Sequence, residues 1–206
     1  MEGCLMADMQ RLKGLRAYLA GPIDNAADDG VTWRIEMTKF LEPLGITVFD
    51  PCKKPLAYAK YKEVEEEKKK MMQLKETGRY FELTERMKDI VHVDLRMVDV
   101  SDFLIIYLDL DVGMFGTIHE LLNSLAQRKP TLVVINGGRA RAPNWLFGIM
   151  DYNFMFDSFD ERAIRGILEQ EQILLKRQKD DPERKGPLKG ALIIIDDLSH
   201  DSSLRR

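Results

Sequence analysis

Cysteine is almost missing from this chain: Cys4 and Cys52 are the only two among 206 residues. Two are too few for a disulfide framework, and their separation is not that of a metal-binding pair. Histidine is equally scarce. His92, His119 and His200 show no His-x₃-His or similar spacing, so a histidine metal centre is not expected, and His92 and His119 read as local hydrogen-bonders. No apolar run approaches the ~18 residues that a membrane span needs. The start, Met1-Glu2-Gly3-Cys4-Leu5-Met6, lacks a basic segment followed by an apolar one, so no secretory signal is expected and the cytoplasm is the expected compartment. Charge of one sign is not in excess: 31 basic against 34 acidic residues give a net charge of −3. With no basic patch interleaved with aromatics, nucleic acid is not an expected partner. Phosphate-loop signatures are absent too, both GxGxxG and Gly-Lys-Ser/Thr.

What is present is a 45% hydrophobic, 32% charged composition, enough for one domain with a full core. Residues 15–20 form a short apolar run that ends at Gly21-Pro22, a buried strand entering a loop. Residues 30–43 carry Val31, Ile35, Phe40 and Leu41 at roughly helical spacing. Ile46-Thr47-Val48-Phe49 reads as a second strand, closed by Asp50-Pro51. Residues 53–88 look like a charged helical insertion, with Gly78 separating two helices. The second helix runs over about 81–100 with Ile90, Val91, Leu95 and Val98 on one side. Residues 103–108 are apolar and β-rich, as a central parallel strand should be. A helix over about 117–127 and a strand over 131–135 follow. Residues 157–178 read as helical, residues 180–206 as a charged linker and tail, and Ala191 to Ile195 as a last strand or a docking tail. Strands alternating with helices predict one α/β domain over 1–206, a doubly wound parallel sheet covered on both faces. Ligands of such sheets sit beyond the carboxyl ends of the strands, here residues 21–29, 50–54, 109–116 and 136–144.

Three groups in those places carry chemistry. In Tyr18-Leu19-Ala20-Gly21-Pro22-Ile23, Gly21 permits close approach of a ligand and Pro22 stiffens the loop; the phenol of Tyr18 is placed to orient a carboxylate. An ordinary strand end with a buried tyrosine gives the same pattern. Asp24, Asp28 and Asp29 follow and should repel a phosphate unless an arginine folds back over them. In Gly116-Thr117-Ile118-His119-Glu120, Thr117 and Glu120 match a capping box. The same geometry sets a carboxylate in the first turn of a helix just beyond a strand end, where the helix dipole favours its ionised form and where it would serve as a nucleophile. One side-chain conformation cannot do both. The third group is acidic: Asp94, Asp99, Asp102, Asp109 and Asp111. Asp94 and Asp102 flank the strand that delivers the Gly116 loop, so either is a candidate second carboxyl group; capping or solvation explains each equally well. Asp109 and Asp111 with Glu120 form a weak Mg²⁺ candidate. Asn144-Trp145 and Asn153-Phe154-Met155 lie past the last clear strand.

Taken in order, these motifs resemble the nucleoside 2-deoxyribosyltransferase family and its nucleoside-5′-monophosphate N-glycosidase relatives. The residues that carry the resemblance are Tyr18-Leu19-Ala20-Gly21-Pro22-Ile23, Asp94-Leu95, Ser101-Asp102, Gly116-Thr117-x-x-Glu120 and Lys129-Pro130, covering about 16–156. The resemblance implies a flavodoxin-like fold, no cofactor and a homo-oligomer, dimeric or a trimer of dimers. It implies that Glu120 is the nucleophile, that Asp94 binds the base and assists its protonation, and that Tyr18 holds the nucleophile. It implies substrate contacts from Gly21, Pro22, Ile23, Asp102, Gly116 and Thr117, and from Asn153 reaching a neighbouring subunit's site. The partners so implied are a nucleoside or nucleotide and a free base. Where many members carry a sugar-binding aspartate this chain has Met114, with Asp111 the candidate replacement. Three functions follow: transfer of deoxyribose between bases, hydrolysis of a 5′-monophosphate through the same glycosyl-enzyme, or nucleotide sensing without turnover.

Overall fold

The computed structural model describes residues 13–23, 26, 28–53 and 65–159. Five strands form its sheet: β1 (Arg16–Ala20), β2 (Thr47–Phe49), β3 (Phe103–Leu108), β4 (Thr131–Ile135) and β5 (Met155–Phe156). Every pairing is parallel and the order is β2-β1-β3-β4-β5. That is the flavodoxin-like order, in which the chain winds outward in both directions from β1 and leaves a crevice between the carboxyl ends of β1 and β3.

The strands are apolar throughout because both faces are covered. On one face Ala17, Leu19, Phe103, Ile105 and Leu132 pack under α1 (Val31–Leu41). On the other, Tyr18, Ala20, Leu104, Ile106, Leu108, Val133 and Ile135 pack under α3 (Tyr80–Val100), α4 (Phe115–Ala126) and α5 (Asn144–Ile149). Alternation along β1 therefore sends Tyr18 to the α3–α4 side. Each fully buried Leu or Ile here contributes roughly 1.5–3 kcal/mol.

α1 is phased differently from its apolar pattern. Its buried residues are Arg34, Met37, Thr38 and Leu41, while Val31 and Ile35 are more than a third exposed. The inward position that shifts the phase is an arginine, which a hydrophobic count scores as surface. The inserted hairpin consists of α2 (Glu65–Glu76) and α3, with Gly78 at φ +69° between them. At the far end of α3, Lys129 donates to the carbonyls of Val98 (2.5 Å), Asp99 (2.5 Å) and Ser101 (2.8 Å) and so caps the helix. α5 and the two-residue β5 were not expected from sequence. The segments 157–178 and 191–195 lie largely or wholly outside the described residues. Among the described residues no helix is long and apolar enough to cross a membrane.

Candidate functional site

The cavity lies where the strand order reverses. It measures about 670 Å³ and is walled by Gly21, Pro22 and Ile23 after β1, Pro51 after β2, Met87, Ile90, Val91, Asp94 and Leu95 of α3, and residues 113–120 at the start of α4. Ala20 of β1 stands beside Ile106 of β3, so the loops that follow the two strands meet at one place.

Tyr18 and Glu120 meet at this site across 102 residues of sequence. The phenol of Tyr18, fully buried, donates to Oε1 of Glu120 at 2.5 Å. The orientation of α4 makes this possible. Thr117, Leu121 and Ser124 form its buried face, and the Ser124 hydroxyl lies 2.6 Å from that of Thr131 on β4. Glu120 stands beside this face and points along the sheet surface to Tyr18. The capping reading of Thr117 and Glu120 does not hold. α4 begins at Phe115 after Met114, which makes no side-chain cap, and Glu120 falls in the second turn rather than the first. The dipole therefore acts on it less than expected, since that effect fades within the first turn. The Tyr18 phenol holds the carboxylate.

Asp94 is buried on α3 and lines the same cavity. Gly116 and Thr117 line it as well, and nothing lies within 4 Å of where a Gly116 side chain would begin, so that position opens on free space. Gly21 has a packing reason for its identity: a Cβ there would stand 2.7 Å from the Trp33 ring.

Two expected site residues lie elsewhere. Asp102 precedes β3 at the amino end of the sheet, where it accepts from the backbone N–H (2.8 Å), Nε (3.1 Å) and Nη2 (3.2 Å) of Arg16. A six-residue strand separates it from the cavity, ~20 Å. Asp111 is in the loop after β3 but is clamped by Arg141 (2.6 and 3.0 Å) outside the cavity wall, and the hydrogen bonds and charge of Arg141 hold its carboxyl below the usual range. Asn153, expected at a neighbouring subunit's site, is exposed in the turn before β5 and donates to Asp151 at 2.9 Å. Asp109, Asp111 and Glu120 do not converge, and among the described residues no three His, Cys, Asp or Glu side chains are grouped to hold a metal ion.

For Asp102, burial would raise the pKa, but the hydrogen bonds and charge of Arg16 outweigh it and hold the carboxyl low. A carboxyl lowered on folding adds stability above its unfolded value of about 3.9 and loses that stability as pH falls through the lower folded value. Asp102→Asn should therefore cost less than about 1 kcal/mol at neutral pH, because the pair is partly exposed, and the deficit should shrink towards pH 2. Urea titrations at several pH values measure it. Turnover should change less than about twofold, since Asp102 is remote from the cavity; a tenfold loss with an intact fold would return it to the site.

Sequence reading missed Arg34. Its guanidinium, fully buried, donates to the carbonyls of Leu19 (3.3 Å), Gly21 (2.8 Å) and Gly30 (2.7 Å) and lies 3.8 Å from the carboxylate of buried Asp50. This is the arginine that folds back beneath the acidic loop, but it binds carbonyls rather than facing the cavity. Gly30, at φ +67°, is obligatory beside it: a Cβ would stand 2.4 Å from Arg34 Nη1 and 2.2 Å from the Pro22 carbonyl oxygen. The signal available in sequence was a lone arginine on the inward phase of α1.

No family model matches the chain, and no curated protein matches it. Among solved structures it is similar to the CMP N-glycosidase BcmB of Clostridium botulinum, with a TM-score of 0.41 and 16% identity over 77% of this chain and 98% of that one. A likeness at that level carries no conclusion about activity.

Proposed function

We propose that this chain is an enzyme that cleaves the N-glycosidic bond of a nucleoside through a glycosyl ester on Glu120 and passes the sugar to another base. The observation that carries this reading is the Tyr18–Glu120 hydrogen bond at the edge of a cavity that Asp94 also lines. A carboxylate held by a buried phenol at the cavity edge is positioned for attack on C1′. Asp94, which lines the same cavity, is assigned to give a proton to the departing base or to bind it. The apolar walls suit a flat heterocycle. Among the described lining residues there is no lysine or arginine, which favours an uncharged nucleoside over its 5′-monophosphate. The proposed partners are a nucleoside and a free base, and the proposed reaction uses no cofactor.

The reaction would run as a double displacement. Glu120 attacks C1′ as the C1′–N bond breaks, the base takes a proton from Asp94, and the ester is then opened by a second base, or by water, with the proton returned to Asp94. Incubation with a deoxynucleoside, with and without a second free base, separates the possibilities. Formation of the second nucleoside is expected. Free sugar regardless of acceptor would replace transfer by hydrolysis, and a 5′-monophosphate consumed in preference would overturn the substrate assignment. No turnover of any would leave a binding protein.

Turnover should also persist in EDTA. Asp111 is committed to Arg141 and Glu120 to Tyr18, so the acids proposed for Mg²⁺ are apart. Loss of activity in chelator, restored by Mg²⁺, would contradict this.

A further inference from the structure

The inserted helix α2 bonds the loop after β1 and α3, the two elements that supply the Ile23 and Met87 lining, through two consecutive residues. Glu67 accepts from Nη1 of Arg86 on α3 at 2.8 Å, one residue before Met87 of the cavity wall. Lys68 donates to the carbonyl of Ile23, in the wall after β1, at 2.6 Å, and pairs with the carboxylate of Asp29. The Lys68 side chain is only 15% exposed and that of Glu67 26%, so water screens these contacts less than ordinary surface pairs. The Lys68 grip is also on a demanding piece of backbone. Asp29 (φ +56°) and Gly30 (φ +67°) are successive left-handed residues, a conformation that a residue with a side chain holds only when its surroundings impose it. Arg34 fixes this segment from below at Gly21 and Gly30, and Lys68 fixes it from the side at Ile23 and Asp29.

We propose that α2 is a strut of the site, and that Glu67 and Lys68 are positioning residues that set the distance between the Ile23 wall and the Met87 wall and so the fit of the nucleoside between them. The charged insertion thereby gains a role in substrate recognition. The proposal rests on the assignment of the cavity as a nucleoside site. Neither residue touches the reacting atoms, so loss of either should weaken ground-state and transition-state binding alike.

The test compares the full chain with Lys68→Met, Lys68→Arg, Glu67→Gln and, as control, Lys75→Met, an exposed lysine of the same helix. For a deoxynucleoside, Lys68→Met and Glu67→Gln should raise KM about tenfold with kcat within about twofold, as loss of uniform binding requires. Lys68→Arg should restore KM to within about threefold and Lys75→Met should leave it unchanged. Amide hydrogen exchange supplies a readout independent of turnover. The Asp29 and Gly30 amides, bonded to the Ala26 carbonyl and the Asp28 carboxylate, should exchange faster in Lys68→Met while β3 amides do not change. Unchanged exchange, or faster exchange with an unchanged KM, would overturn the strut. A wild-type chain that turns over no nucleoside, together with faster exchange in Lys68→Met, would reject the functional reading and keep the contact between α2 and the wall.

Discussion

Glu120→Gln should lower turnover by at least about 10⁴-fold while the protein stays folded. The amide keeps the size of the side chain and can still accept the Tyr18 hydroxyl, but it cannot form the glycosyl ester. Because Glu120 makes no capping box, its loss does not cost the ~1 kcal/mol that an N-cap contributes, and the thermal midpoint should move little. Steady-state rates and a melting curve on the same sample decide the point. A variant that keeps more than about a tenth of wild-type activity has its nucleophile elsewhere, and a variant that unfolds would make Glu120 a structural residue.

Asp94→Asn should cost about 10²–10⁴-fold for ordinary nucleosides, the range that a positioned general acid supplies. The size of the loss should depend on the leaving group. A 7-methylated purine nucleoside already carries the positive charge that protonation would create, so its base departs without help. On that substrate Asp94→Asn should be nearly as fast as wild type. Equal losses on both substrates would reduce Asp94 to a residue that binds the base. It is buried on α3 and belongs to the buried face of that helix, so a melting curve must accompany the rates.

These expectations rest on contacts that sequence reveals unevenly. β3 and β4 were legible because a strand buried on both faces is a continuous apolar run, and the pattern of alternating elements led to the doubly wound sheet. Tyr18 and Glu120 were each legible as strand-end and helix-start residues, yet the bond between them spans 102 positions, and no local pattern encodes it. For Thr117 and Glu120 the capping motif competed for the same spacing, and a helix start two residues earlier removed it. Asp102 was misplaced for a different reason. Its place just before β3 already sets it at the amino end of a parallel strand, away from the crevice; the family resemblance carried it into the site, and it pairs instead with Arg16. Arg34 stayed hidden because a buried guanidinium satisfied by three carbonyls and a carboxylate looks, in sequence, like a surface residue. The insertion announced only its charge. That Glu67 and Lys68 divide between two walls depends on how the α2–α3 hairpin lies against the loop after β1.

The most direct test of the account is to trap the glycosyl ester. A 2′-fluoro-2′-deoxyarabinosyl nucleoside slows the opening of the ester, because fluorine destabilises the cationic character of the sugar in the transition state, and so leaves the sugar on the nucleophile. Peptide mass spectrometry of the quenched protein should find the fluorosugar on Glu120, and the product released from unmodified substrate should keep the β configuration, since two inversions cancel. An adduct on another residue would move the nucleophile. An α-configured product without any adduct would contradict the double displacement.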